Sequence, residues 1–363
     1  MASQVDLRLE ELVGRPTINE RLMSDFILRS LRTLRLANGE SRKVVGFLNR
    51  EVLPDLLGRL RDRLEREEAA GGPPSRTAER QAEYLRIIAG VTRPGYARAL
   101  ADVTGASDAI ARSEAQAAMQ TLQAAMPAGV GVTFAAPAPG VLAAAVREEA
   151  FGGHLLRNWF DIVEQRSQQA ILGQLNIGID QGETADQIMR RLRGTRENDY
   201  TDGVLEATRR EAETLVRTAV RHVTSSARLA TYDANSDIID GYTIVATLDT
   251  RTCPICAGLD GRFIKTGEAG PSPPFHPNCR CDTSPVVKGL PGLPPGQRAS
   301  VEGPVPDTVT YGEWLKGQPQ AVQEDVLGVR KAALFRSGEL EIGEFSDERG
   351  RILTLDELDR KLK

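Results

Sequence analysis

The sequence predicts a mainly α protein with one small antiparallel β module, and three observations carry that expectation. Apolar residues recur at helical spacing through most of the chain. Aromatics are only 5% of the residues, which favours Leu, Val, Ile and Ala packing. All four cysteines, Cys253, Cys256, Cys279 and Cys281, fall in one short stretch where the pattern turns β-branched and glycine-punctuated.

The helices come first. Leu22, Phe26, Ile27, Leu31 and Leu34 share one face, and Asn38-Gly39 is expected to stop that run. Val44, Leu48, Val52, Leu56 and Leu60 form a second run, which Pro54 should kink or break. Gly71-Gly72-Pro73-Pro74 is a clear interruption. Residues 76–126 read as helix, aided by the alanines between Ala106 and Ala125. Pro127 to Gly140 reads as a linker or extended segment, and one long helix is expected over Val141 to Leu175. Thr184, with Gln187 three residues on, has the pattern of a capping box that opens a helix ending at Gly194. A further helix is expected over Val204 to Tyr232.

Then the periodicity changes. Tyr242 to Leu248 reads as a strand, Arg262-Phe263-Ile264 as a second, and Arg280 to Val286 as a third. After a Pro/Gly-rich stretch the tail carries Tyr311, Trp314 and Leu315. A helix is expected over Ala321 to Phe335, and a last one opens at Thr354 with Glu357 completing its capping box. The expected organisation is a helical N-terminal region (1–140), a central helical region (141–238), the β module (239–288), a linker (289–306) and a helical C-terminal extension (307–363).

Composition narrows the function. The formal charge is −4, so nothing global draws the chain to nucleic acid or anionic membrane. No apolar run approaches the roughly 20 residues a bilayer requires. Met1 to Glu10 is polar, unlike a secretion signal, so a cytoplasmic site of synthesis is expected. In a reducing compartment, clustered cysteines argue for a metal before disulfides.

The chemistry sits in Thr252-Cys253-Pro254-Ile255-Cys256, then Leu259-Asp260-Gly261, then Pro273 to Cys281. Cys253 and Cys256 have the two-residue gap that aims two thiolates at one ion, and His276 and Cys279 repeat it. Cys281 lies two beyond Cys279, so on a strand both would face one side. These are five candidate donors for a structural zinc that takes four, and which four is open. The bland alternative is thiols that pack, hydrogen-bond, or later form disulfides. A catalytic zinc is not favoured, because no His-Glu-x-x-His or His-x-Glu pattern occurs. Asp249 and Asp260 are read as turn-capping residues, Asp260-Gly261 being a hairpin signal.

The run Asp249-Thr250-Arg251-Thr252-Cys253-Pro254-Ile255-Cys256, with Leu259-Asp260-Gly261 and Pro273-Pro274-Phe275-His276-Pro277-Asn278-Cys279-Arg280-Cys281, resembles the signature of the phage Mu F-like minor head protein family, also called phage head morphogenesis proteins. Ile177-Gly178-Ile179, Gly182 and Leu215 to Val220 are similar in order upstream. Tyr311 to Leu315, Leu327-Gly328 and Leu334 to Gly338 resemble C-terminal extensions of some members. The resemblance spans about residues 150–345; residues 1–150 carry no recognised motif. It implies a low-copy, non-enzymatic virion component at the head interior or portal vertex. Its implied partners are the portal protein, the major capsid or scaffolding protein, and packaged double-stranded DNA. The residues left after the linker are too few for the enzymatic domains some members carry.

A second reading is a zinc-stabilised DNA-binding module. Arg210, Arg217, Arg221 and Arg228 recur along the helix after Val204, opposite its apolar face, and phosphate contacts come mainly from Arg and Lys. Against it stands the solvated, ion-paired face that Glu206, Glu211 and Glu213 would make. His154 and His222 are read as structural or exposed, and Trp159 and Trp314 as core or docking anchors.

Overall fold

The computed structural model describes residues 18–70, 77–126, 131–288, 297–347 and 351–362. The expected breaks at Gly71 to Pro74 and Pro127 to Val130 lie outside those residues. Helices α1 (Ile18–Phe47), α2 (Leu53–Ala69), α3 (Ala78–Ala125), α4 (Pro139–Arg147), α5 (Leu156–Asp180), α6 (Ala185–Arg193) and α7 (Val204–Asp233) precede a three-stranded sheet. Its strands are β1 (Ile239–Val245), β2 (Phe263–Lys265) and β3 (Asp282–Val287), with the short helix α8 (Pro254–Leu259) between the first two. A hairpin of β4 (Gln297–Ser300) and β5 (Gly303–Pro306) leads to α9 (Tyr311–Lys316), α10 (Gln320–Leu327), α11 (Val329–Ser337) and α12 (Leu355–Lys361). The mainly α class with a small β module is as the sequence predicts.

Several boundaries differ, each for a local reason. Asn38-Gly39 does not stop α1. The buried positions Leu22, Phe26, Ser30, Thr33, Ala37, Ser41 and Val44 keep helical spacing straight through it, so packing outweighs the glycine penalty of about 1 kcal/mol. Pro54 does not end its run either. The preceding turn, Leu48–Val52, widens into a π-helix, and Pro54 then sits in the first turn of α2. A widened turn relieves the clash of the proline ring with the carbonyl four residues earlier. The long helix expected from Val141 is instead two. Phe151 and His154 exchange backbone hydrogen bonds across Gly152-Gly153, and Trp159 Nε1 donates to the Phe151 carbonyl at 2.7 Å. Gly328, at φ 76°, divides the helix expected over Ala321 to Phe335 into α10 and α11.

The linker expected over 289–306 is a hairpin from Gln297 onward; residues 289–296 lie outside the described set. Ser300 Oγ staples its turn, donating to the Gly303 carbonyl at 2.7 Å and accepting from Glu302 N. Pro304 and Pro306 are tolerated because each strand of a two-stranded ribbon is an edge.

Other expectations hold. Thr184 and Gln187 form the capping box of α6, and Thr354 and Glu357 that of α12. Residues 131–138 form no helix or strand, and Asn235 hydrogen-bonds both backbone groups of Ala135.

The described chain divides into two compact units. One, of Leu34–Ala111 and Ala143–Val223, is helical. Its core joins Leu56, Leu60 and Leu64 with Ile88, Ile171, Leu175, Ile188, Leu192 and Val216. Here Gly178 of α5 lies so close to α6 that an added Cβ would stand 2.6 Å from Ile188 Cγ1 and 2.8 Å from Glu183 Oε2. Gly178→Ala therefore sets a helix-propensity gain of about 1 kcal/mol against overpacking of about 1–3 kcal/mol. A net loss is expected in a denaturant melt; an unchanged or higher midpoint would show that α6 yields freely.

The other unit comprises the described residues within 1–33, 112–142 and 224–363. Its sheet has the order β2–β1–β3, all antiparallel, with Tyr242 opposite Ile264 and Pro285. Phe26, Leu122, Tyr232, Ile239 and Ile244 form one core; Tyr311, Trp314, Phe335, Phe345 and Leu358 join Leu248 and Ala257 in another.

Candidate metal centre

β1 ends at Val245, earlier than the expected Leu248, because the chain turns there into the loop that carries the first cysteines. Cys253 is the N-cap of α8, with Pro254 at its first position. Its Sγ accepts from Cys256 N at 3.5 Å, so one tight turn sets both sulfurs. The second pair is built likewise. Cys279 N donates to the His276 carbonyl at 3.1 Å, and Asn278 adopts a left-handed conformation at φ 58°. The imidazole is oriented by Nδ1–H donating to the Pro277 carbonyl at 2.8 Å, which turns Nε2 toward the cluster.

The structure brings all five predicted donors into two overlapping triads. Cys253, Cys256 and His276 form a half-buried one, Cys256, Cys279 and Cys281 a buried one, and Cys256 belongs to both. His276 Nε2 lies 3.3 Å from Cys253 Sγ and 3.1 Å from Cys256 Sγ, and Cys256 Sγ lies 3.7 Å from Cys279 Sγ. Cys279 and Cys281 share a side although β3 begins only at Asp282.

The donor set fits a thiophilic dication. Zinc–sulfur bonds of about 2.3 Å in a tetrahedron put sulfurs about 3.8 Å apart. The electrostatics agree. The Cys256 thiol pulls Cys253 down to about 4 against its burial, with His276 assisting. The Cys253 and Cys279 sulfurs raise His276 to about 10. Cys256 is driven up chiefly by its three sulfur neighbours.

Beside the donors, Arg280 grips Asp249 with both terminal nitrogens, at 2.5 and 2.6 Å. Asp249 also accepts from Arg251 N at 3.0 Å, so it does cap the turn. Asp260-Gly261 does not close a hairpin: Asp260 caps the end of α8, and Gly261, at φ 79°, turns the chain into β2. Asp260 is buried, accepts from Ala246 N at 2.6 Å and Tyr311 N at 2.7 Å, and pairs with the buried Arg298 at 2.8 Å. Nothing in the local sequence connects Asp260 with residues 38 and 51 positions away. A cleft of about 30 Å³ beside Cys253, His276 and Arg280 has room for a water-sized group.

The arginines do not form one exposed face. Arg210 is exposed and pairs with Glu206 at 2.9 Å, and Arg217 pairs with Glu213 at 2.5 Å. Arg221 is buried, and Arg228 is fully buried between Glu114 and Asp282. The apolar stripe of α7 is broad enough to take in the last two positions. His222 is buried against the Phe151 ring, at 4.9 Å, and burial lowers its pKa. Trp314 packs on Tyr311.

Fold and site together define a mainly helical protein with a small sheet and a Cys/His cluster able to hold a metal ion. Residues 169–284 match the family described as Phage Mu protein F like protein. The match contains every cluster donor and stops short of the segment from Tyr311 to Gly338. No curated protein and no solved structure matches the chain. Among the described residues, no helix is long and apolar enough to cross a membrane.

Proposed function

We propose that the protein is a structural minor head component of a tailed bacteriophage. It associates with the portal and the inner capsid, and assists procapsid assembly and DNA packaging or delivery. The observation that carries this reading is that the whole Cys/His cluster falls inside the segment matching the phage head family. In this reading the ion is zinc, held by four of Cys253, Cys256, His276, Cys279 and Cys281. Zinc would supply cross-linking and no turnover: it ties the α8 turn to the strand that begins at Asp282, joining loops with too little core to hold themselves. A cleft with room for one water suits that role better than a substrate site.

Elemental analysis of purified protein is expected to give one zinc per chain. Co-sedimentation with purified portal rings or procapsids is expected to retain the protein. No binding to either, together with normal particles from a phage lacking the gene, would overturn the assignment.

A further inference from the structure

The α8 turn has two faces. One presents Cys253 and Cys256 to the cluster. The other is covered by the C-terminal segment: Ala257 belongs to the core of Tyr311, Leu315 and Phe345. At Gly258 the two backbones nearly touch, since a Cβ there would stand 2.6 Å from Gly343 Cα. Both ends of the loop that carries these cysteines are also held from the C-terminal side. At its start, Arg298 donates to the Ala246 carbonyl, and Tyr311 OH donates to the Asp249 carbonyl at 2.9 Å. At its finish, Asp260 takes Tyr311 N and both Arg298 terminal nitrogens. The Arg298–Asp260 pair is sealed from solvent, with side chains 3% and 0% exposed. A buried pair of this kind tolerates little change in spacing.

We propose that the C-terminal segment is a clamp on the metal turn. Arg298, Tyr311 and Gly258 act as positioning residues for Cys253 and Cys256, so metal retention and seating of residues 307–347 are thermodynamically coupled. This rests on the metal reading above. It also goes beyond the family match, which ends at residue 284. Coupling is reciprocal: whatever loosens the clamp weakens the metal site, and removing metal frees the clamp.

The test uses the full chain and zinc alone. Wild type, Gly258→Ala and Tyr311→Phe are loaded with zinc, and its release to a chromophoric chelator is timed. Gly258→Ala, which touches no donor, is expected to release zinc roughly tenfold faster or more, within the usual span of coupling. Tyr311→Phe, which removes one hydroxyl and leaves the core, is expected to give a smaller acceleration. Trypsin cleavage at the exposed Arg330 should speed up when EDTA is added to wild type. Equal release rates in all three proteins, with cleavage insensitive to EDTA, would overturn the clamp while leaving the metal reading intact. A wild-type chain that takes up no zinc would overturn both.

Discussion

Cys256→Ser should abolish metal binding and melt the β module, with a larger effect than Cys253→Ser. Cys256 is the donor common to both triads, in contact with His276 and Cys279, whereas Cys253 is half-exposed and belongs to one. Structural zinc contributes on the order of 10–16 kcal/mol where metal and fold are coupled. That is comparable to the whole stability of a domain, about 5–15 kcal/mol. Hydrogen exchange is the fitting readout. Amides of β1, β2 and β3 should lose protection in Cys256→Ser and in wild type treated with EDTA. Those of α2, α5 and α6 should keep it, because their core of Leu60, Leu64, Ile171 and Leu192 contains no donor. A module that stays protected in both cases would mean that the thiols merely pack, and zinc would lose its structural role.

The cluster was the most legible part of the molecule because its information is local. Two-residue gaps fix which side chains a tight turn can bring together, and the turns at Cys253 and His276 are that short. Capping boxes at Thr184 and Thr354 were legible for the same reason. What the sequence hid is non-local. Asn38-Gly39 looks like a stop until the buried stripe on its two sides is seen to be in register. Pro54 looks like a break until the π-turn before it is seen to make room. The stretch up to Pro306 reads as a linker because proline and glycine dominate it, yet Arg298 within it is buried on Asp260. Arg228 is the sharpest case. Its i, i+7 relation to Arg221 suggested an exposed cationic face, and only the fold shows that Glu114 and Asp282 are waiting for it.

Arg228→Met is the second large effect expected. The guanidinium is fully buried, with Nε 2.6 Å from Glu114 Oε1, a terminal nitrogen on Asp282, and the Phe26 ring 5.4 Å from its centre. Burial works against its charge, but Asp282 and then Glu114 more than offset this and hold its pKa above the ordinary value. Glu114 has a second cation, Arg29, at 2.9 Å. The substitution removes the buried cation from Asp282, whose Oδ1 also accepts from Thr283 N at 2.8 Å. Breaking one side of such a pair costs about 3–5 kcal/mol. Because Asp282 opens β3 directly after Cys281, the loss should fall on this unit and also loosen the metal site. The double variant Arg228→Met/Asp282→Asn should recover part of the loss, since a neutral amide is cheaper to bury than a carboxylate that has lost its buried cation. The same experiment separates architecture from DNA binding. If Arg228 served phosphate contacts, the single variant would melt like wild type and show only weaker, less salt-dependent DNA binding. A wild-type melting temperature for Arg228→Met would therefore sink the ion-pair account and reopen the basic-face reading.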